Sequence, residues 1–126
     1  MKIEVIESPP CVPLVRVEGE IDLHTCPELR TTLQRIHDDG HDRFVLDIAA
    51  VPYVDSAALG VLVDAQRRVK EKNGEIVLVG VTPFVKRAFE ITRLIRFFRL
   101  VGSVEEALIM AGSPPTIRET EPGNGV

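Results

Sequence analysis

The stretch that decides the fold is FVLDIAAVPYVDSAALGVLV, residues 44–63. Its first part, Phe44 to Val51, is an almost continuous β-prone apolar run interrupted by one acid, which predicts a strand buried on both faces. Pro52 ends the run, and Asp55 and Ser56 then open an amphipathic segment that is typical of a helix. A buried strand followed directly by a helix indicates a parallel sheet with helices packed against it.

The flanking segments repeat this alternation of strands and helices. Apolar and polar residues alternate around Ile3 and again from Val12 to Ile21, which predicts two strands joined as a hairpin by a Pro-rich turn. Further on, the apolar spacing predicts helices over 25–40 and 58–72, helices that open at Thr82 and Ser103, and strands over 76–81 and 98–101. The order predicts an α/β fold, a small mixed β-sheet with an N-terminal hairpin and about four helices packed on it.

Two of these helices carry a further start signal. Thr25 and Glu28 have the spacing of a capping box, in which each side chain binds the other residue's backbone N–H. Ser103 and Glu106 repeat this spacing. We therefore expect a capping box at the start of the first helix and another at the start of the last.

Length, composition and charge limit the class of protein. With 126 residues, 44% of them hydrophobic and 27% charged, the chain suits one folded domain, which we expect to span residues 1–111. The Pro- and Gly-rich residues 112–126 are expected to form a disordered tail. The net charge of −4 argues against nucleic-acid binding. With no long apolar run and no CxxC pair, we expect a cytoplasmic protein with reduced thiols and without direct membrane insertion.

Ser56 is the candidate functional residue of the fold-deciding stretch. It follows Asp55 and precedes the small residues Ala57, Ala58 and Gly60. In a structural interpretation, Asp55 or Ser56 caps the helix and the small residues allow close packing. In a regulatory interpretation, the hydroxyl is accessible to another protein's active site. A phosphate there would meet free N–H groups, yet it would add about 1.5 to 2 negative charges beside Asp55 and repel a docked partner.

Four stretches together resemble the STAS domains of the anti-sigma factor antagonist (anti-anti-sigma factor) family. They are GEIDLHTCPELRTTL (19–33), FVLDIAAVPYVDSAALGVLV (44–63), GEIVLVGVTPFVKRAFEITRL (74–94) and SVEEAL (103–108). The features that carry the resemblance are the Gly-Glu-Ile-Asp stretch and the Asp-Ser pair before a small-residue helix, in this order and separation. The resemblance covers about residues 3–111 and implies a STAS-like fold.

The resemblance implies a regulatory binding protein and not an enzyme. Such proteins bind an anti-sigma factor that is also a serine kinase of the GHKL type, and binding frees a sigma factor. The kinase phosphorylates the serine of the Asp-Ser motif, here Ser56, the complex dissociates, and a serine phosphatase restores the antagonist. By motif position, the partner-binding residues are Asp22, His24, Asp55, Ser56, Ala57, Ala58 and Gly60. We expect no cofactor, no metal, and a monomer or weak dimer.

The chain departs from the family pattern directly after the acceptor. Ala57 and Ala58 stand where the family often has Ser-Gly or Thr-Gly. Alanine favours a helix by roughly 1 kcal/mol over glycine, so we expect a stiffer helix start. Because Ser56 itself is retained, we expect the switch to work.

The resemblance and the residues together leave other functions open. STAS domains also serve in stressosome-like scaffolds and in lipid-transport ATPase complexes. A hydrolase could use Ser56 with His24 as its base, but the chain has no GxSxG motif. His37 and His41 suggest a metal site, but the spacing places no third ligand. The basic stretch over 86–99 is interpreted as a solvated helix face beside core aromatic residues rather than a nucleic-acid site, and it could also meet an acidic region of a protein partner.

Overall fold

The computed structural model of the chain describes residues 1–8 and 12–112. Its strands are β1 (Lys2–Ser8), β2 (Val12–Glu18), β3 (Arg43–Ala50), β4 (Glu75–Val79) and β5 (Arg99–Val101). Its helices are α1 (Cys26–Asp38), α2 (Ser56–Lys70), α3 (Pro83–Ile91) and α4 (Val104–Ala111). The predicted hairpin turn and the predicted tail lie outside the described residues, except for Ser8 and Gly112 at their edges.

The five strands form one mixed sheet in the order β1-β2-β3-β4-β5. β1 and β2 are antiparallel, and the remaining neighbours pair in parallel. This topology confirms the predicted α/β fold with an N-terminal hairpin. Because β2, β3 and β4 are parallel, the loops that follow them emerge at the same edge of the sheet.

Two apolar layers hold the helices against the sheet. The larger layer lies between the sheet and α1, α2 and α3 and includes Val15, Leu29, Leu46, Leu62 and Phe89. The smaller layer lies between the opposite face and α4 and includes Leu14, Val45, Val77 and Ala107. Successive residues of one strand therefore point into different layers, which explains why the central strands appear as continuous apolar runs.

The second strand ends earlier than predicted. β2 ends at Glu18 and not at Ile21, because its pairing with β3 shifts in register between Arg16 and Glu18. Gly19 then adopts a φ of +96°, a left-handed conformation that glycine tolerates best. The chain leaves the regular ladder at this point, and Ile21 rejoins the β3 side through an isolated parallel bridge to Val54.

The predicted capping box at the start of α1 is wrong. The N-cap residue Thr25 already has a helical backbone, with φ −98° and ψ −21°, and its side chain makes no cap hydrogen bond. Its Oγ1 instead accepts the Asp22 N–H at 2.9 Å and donates to the Glu20 carbonyl oxygen at 3.1 Å. The turn before the helix therefore uses the hydroxyl that a capping box would require.

The other three helices have side-chain caps. Asp55, Thr82 and Ser103 each accept a backbone N–H from the first turn of α2, α3 and α4. α2 begins at Ser56 and not at the predicted Ala58, because Asp55 supplies the cap directly before Ser56.

A buried amide that the sequence analysis did not single out ties α2 to two other segments. Gln66 is completely buried. Its Nε2 donates to the Phe97 carbonyl oxygen at 2.8 Å, and its Oε1 accepts the Ile76 N–H at 2.9 Å. Both polar ends of the Gln66 side chain therefore have hydrogen-bond partners, one in β4 and one in the loop before β5, as a buried amide requires.

Candidate functional site

Two loops meet at the sheet edge where β2 and β3 end. The Ile21 N–H donates to the Tyr53 carbonyl oxygen at 3.1 Å, and the Asp55 N–H donates to the Ile21 carbonyl oxygen at 3.2 Å. These two hydrogen bonds flank the Ile21–Val54 bridge. They bring the Gly-Glu-Ile-Asp stretch beside the Asp-Ser pair, although the two motifs are more than 30 residues apart in the sequence.

Asp55 joins the two motifs through its side chain. Its Oδ1 accepts the Ala58 N–H at 3.0 Å, which caps α2. Its Oδ2 accepts the Leu23 N–H at 2.9 Å, across the gap between the loops. One carboxylate therefore fixes the start of α2 and, at the same time, the loop that carries Asp22 and His24.

Asp22 organises the turn that leads into α1. Its Oδ1 accepts the His24 N–H at 2.9 Å and the Thr25 N–H at 3.1 Å. The Thr25 hydrogen bond is the largest influence and, with that of His24, lowers the pKa of the Asp22 carboxyl below its ordinary value of 3.8. Asp22 is therefore a negative charge near neutral pH, held in place by its own loop.

Ser56 occupies the first position of α2 and is exposed to solvent. No hydrogen bond engages its hydroxyl within the described residues. The first backbone bond of the helix runs from the Leu59 N–H to the Asp55 carbonyl oxygen at 3.1 Å, and the Ala58 N–H is taken by the cap. The N–H groups of Ser56 and Ala57 therefore precede the bonded part of the helix and point towards its N-terminal end.

The small residues that follow Ser56 have different surroundings. Ala57 is half-buried, and Gly60 is exposed with open space where a Cβ would lie. Ala58 is completely buried in the larger apolar layer. Its methyl group therefore packs the core and is not exposed at the surface.

Large apolar side chains also stand exposed at this edge, and the sequence analysis did not identify them. Leu23 is 67% exposed, Tyr53 41% and Phe84 54%. The Tyr53 and Phe84 rings contact each other, with centroids 5.4 Å apart. We refer to residues 22–24, Tyr53, Ser56 and Phe84 as the Ser56 surface. No simple sequence signal separates these side chains from the core, since Ile21 and Val54 in the same two loops are buried.

The alternatives raised by the sequence gain no support from this geometry. Within the described residues, no hydrogen bond joins the His24 imidazole to Ser56, as a hydrolase base would require. His37 Nδ1 lies 3.3 Å from Asp42 Oδ1, and the described part of the chain contains no group of three His, Cys, Asp or Glu residues that could hold a metal. In the basic stretch, Arg99 Nε donates to Glu75 Oε2 at 3.1 Å, so this guanidinium already has a partner within the chain.

The described residues include no helix with the length and hydropathy that a membrane span requires.

The comparisons with known proteins agree with the fold. An anti-sigma-B factor antagonist of Staphylococcus aureus is 35% identical over 80 residues, which are 64% of this chain and 74% of that protein. An anti-sigma factor antagonist from Mycobacterium paratuberculosis superposes with a TM-score of 0.79 at 26% identity, over 89% of this chain and 94% of that one.

A structure of the Bacillus cell fate determinant SpoIIAA in its phosphorylated form shares the fold. It superposes with a TM-score of 0.69 at 17% identity, over 86% of this chain and 98% of that one. The profile of the STAS domain matches residues 2–107, which include every strand and both motifs of the candidate site. The chain therefore belongs to the STAS domain family.

Proposed function

We propose that this chain is an anti-sigma factor antagonist that works as a phosphorylation-controlled partner switch. Unphosphorylated, it binds an anti-sigma factor serine kinase of the GHKL type and so frees a sigma factor in the cytoplasm. Phosphorylated on Ser56, it dissociates from the kinase. The observation that carries the proposal is the exposed hydroxyl of Ser56, which has no partner within the described residues and stands at the start of a helix beside a second ordered loop.

The chemistry of the switch follows from the charges around Ser56. The kinase transfers the γ-phosphoryl group of ATP to Ser56 Oγ, the hydroxyl proton is released, and ADP leaves. The product carries about 1.5 to 2 negative charges near neutral pH. The first N–H groups of α2 and its dipole stabilise that phosphate locally. A kinase that docks against Asp22 and Ser56 then meets a strongly negative surface, and like charges across an interface cost several kcal/mol.

The apolar part of the Ser56 surface supports a protein partner. Leu23, Tyr53 and Phe84 expose large apolar side chains around a polar centre. Exposed apolar groups of this kind are typical of protein interfaces, in which aromatic side chains contribute much of the binding free energy. The chain needs no cofactor for this task, because ATP belongs to the kinase. A serine phosphatase that hydrolyses the phosphoserine resets the switch.

A capture experiment tests the proposal. The purified unphosphorylated chain serves as bait in lysate from its source organism, and bound proteins and the modification site are identified by mass spectrometry after Mg-ATP is added. We expect a small serine kinase in the eluate, phosphate on Ser56, and release of the pair. Ser56→Ala should capture the same kinase and resist release by ATP.

Other outcomes would redirect the function. Capture of a large multi-subunit particle or of a membrane ATPase, with Ser56 unmodified, would favour the scaffold or transport role of STAS domains. Phosphate on another residue, with Ser56→Ala released by ATP as readily as the wild type, would contradict the assignment of Ser56.

A further inference from the structure

We propose that Asp55 is a positioning residue, whose carboxylate holds the 22–24 loop against the start of α2 so that a partner meets both as one rigid surface. The geometric part of this inference stands on the structure alone. Its consequence for the partner rests on the function proposed above. In this proposal the Asp55 carboxylate acts through hydrogen bonds within the chain and not through direct contact with the partner.

The two oxygens of Asp55 hold two backbone donors that are far apart in the sequence. Oδ1 accepts from Ala58 at 3.0 Å and Oδ2 from Leu23 at 2.9 Å. Both distances are those of good hydrogen bonds to a carboxylate. With one N–H on each oxygen, the plane of the carboxylate is set by the protein, and so is the distance between the loop and the helix.

No other hydrogen bond in the described part of the chain joins residues 22–24 to the start of α2. The two backbone bonds between the loops end at Ile21. Beyond that residue, Asp22 bonds to its own turn and to the first residue of α1, through His24, Thr25 and Cys26, and not to α2. The Leu23 side chain is 67% exposed and contributes little packing. The Leu23–Asp55 bond is therefore the direct link, within the described residues, between the turn that carries Leu23 and His24 and the start of α2.

Substitution can separate the two tasks of this carboxylate. In Asp55→Asn, the amide oxygen still accepts from Ala58, and asparagine caps helices about as well as aspartate. The amide NH₂ then faces the Leu23 N–H, donor against donor, and the link is broken. Asp55→Ser also keeps a capping oxygen and offers no second acceptor. Glu28→Gln is a matched control, since it removes one exposed negative charge near the same edge.

The first readout is the state of the Leu23 amide, measured by NMR on the full chain. We expect Asp55→Asn and Asp55→Ser to move the Leu23 amide proton upfield and to speed its hydrogen exchange about tenfold, since a hydrogen bond to a charged group is lost. The Ala58 amide should keep its protection, and Glu28→Gln should leave both amides unchanged. An unchanged Leu23 amide in both Asp55 variants would overturn the inference.

The second readout separates positioning from chemistry. With the serine kinase obtained in the capture experiment, we expect Asp55→Asn to raise KM for phosphorylation of Ser56 about tenfold while kcat stays near the wild-type value, because the acceptor hydroxyl is intact. A freed Leu23 amide with wild-type KM would overturn the role of the link in partner binding. If no kinase acts on the wild type, the proposed function fails, and the NMR result still decides the geometric part.

Discussion

Two polar residues of α2 show how differently one helix can use a side chain. Ser56 stands at its N-terminal end, exposed, and its hydroxyl has no partner in the described structure. Gln66, near its other end, is completely buried, and both ends of its amide are bonded to backbone groups. Burying the Gln66 amide without partners would cost several kcal/mol of stability. The Ser56 hydroxyl carries no such penalty, because water can satisfy its hydrogen bonds. A satisfied buried group supports the fold, and an exposed free group is available to another molecule.

The largest effect on stability is expected for Gln66→Leu. The substitution removes the partner of the buried Ile76 N–H, at about 1–3 kcal/mol, and the partner of the part-buried Phe97 carbonyl oxygen. We expect the free energy of unfolding to fall by about 2–4 kcal/mol, measured by urea denaturation. Gln34→Leu, which removes an exposed hydrogen bond to Asp38, should change it by no more than about 0.5 kcal/mol. Equal losses of unfolding free energy in Gln66→Leu and Gln34→Leu would contradict a structural role for the Gln66 amide.

At the other end of the helix, Ser56→Glu should change binding and leave stability almost untouched. We expect the affinity for the captured kinase to fall about 100-fold, because a fixed negative charge replaces the hydroxyl in the Ser56 surface. Ser56→Gln has nearly the same size without the charge and is the control. We expect it to bind within about fivefold of the wild type. If both variants bind as weakly as each other, size and not charge governs the switch.

The exposed ring of Phe84 should contribute less than the charge. We expect Phe84→Ala to weaken kinase binding about tenfold, a typical loss for an aromatic residue in an interface. Ile91→Ala is the matched control, because Ile91 is also exposed, at 68%, but lies at the opposite end of α3. Its affinity should change less than about twofold. The affinities are measured by surface plasmon resonance. A larger loss of affinity in Ile91→Ala than in Phe84→Ala would contradict the assignment of Phe84 to the Ser56 surface.

The smallest effect concerns acid pH. Hydrogen bonds from Thr25 and His24 lower the pKa of Asp22 in the folded chain, so Asp22 contributes stability above its ordinary pKa of 3.8. That contribution is lost as the pH falls below 3.8 through the lowered value. We expect Asp22→Asn to flatten the pH dependence of the melting temperature in this window. Identical profiles for Asp22→Asn and the wild type would contradict this role.

The sequence predicted more of the fold than of the site's geometry. The central strands and the presence of α2 follow from local signals, namely a continuous apolar run and an Asp before a helix, although α2 begins two residues before the predicted Ala58. Ser56 was identified from the same motif, and its role stays a prediction. The hydrogen bond from Leu23 to Asp55 joins residues 32 positions apart, so no local pattern encodes it.

Two details show why local rules gave incomplete or wrong answers. Gln66 has the spacing of an ordinary polar residue in an amphipathic helix, and its burial depends on where β4 and the loop before β5 pass over it. Thr25 has the spacing of a capping box, but its hydroxyl is taken by the turn around Asp22. In both cases the side chain bonds to a residue outside its own helix, and helix spacing alone does not predict that bond.

The most direct test of the central claim is the affinity of the captured serine kinase for the chain with and without phosphate on Ser56. Isothermal titration calorimetry at physiological salt should give an affinity about 100-fold weaker for the phosphorylated form. At about 1 M salt, where charges are screened beyond about 3 Å, this difference should shrink. Equal affinities of the two forms at physiological salt would contradict the proposed switch.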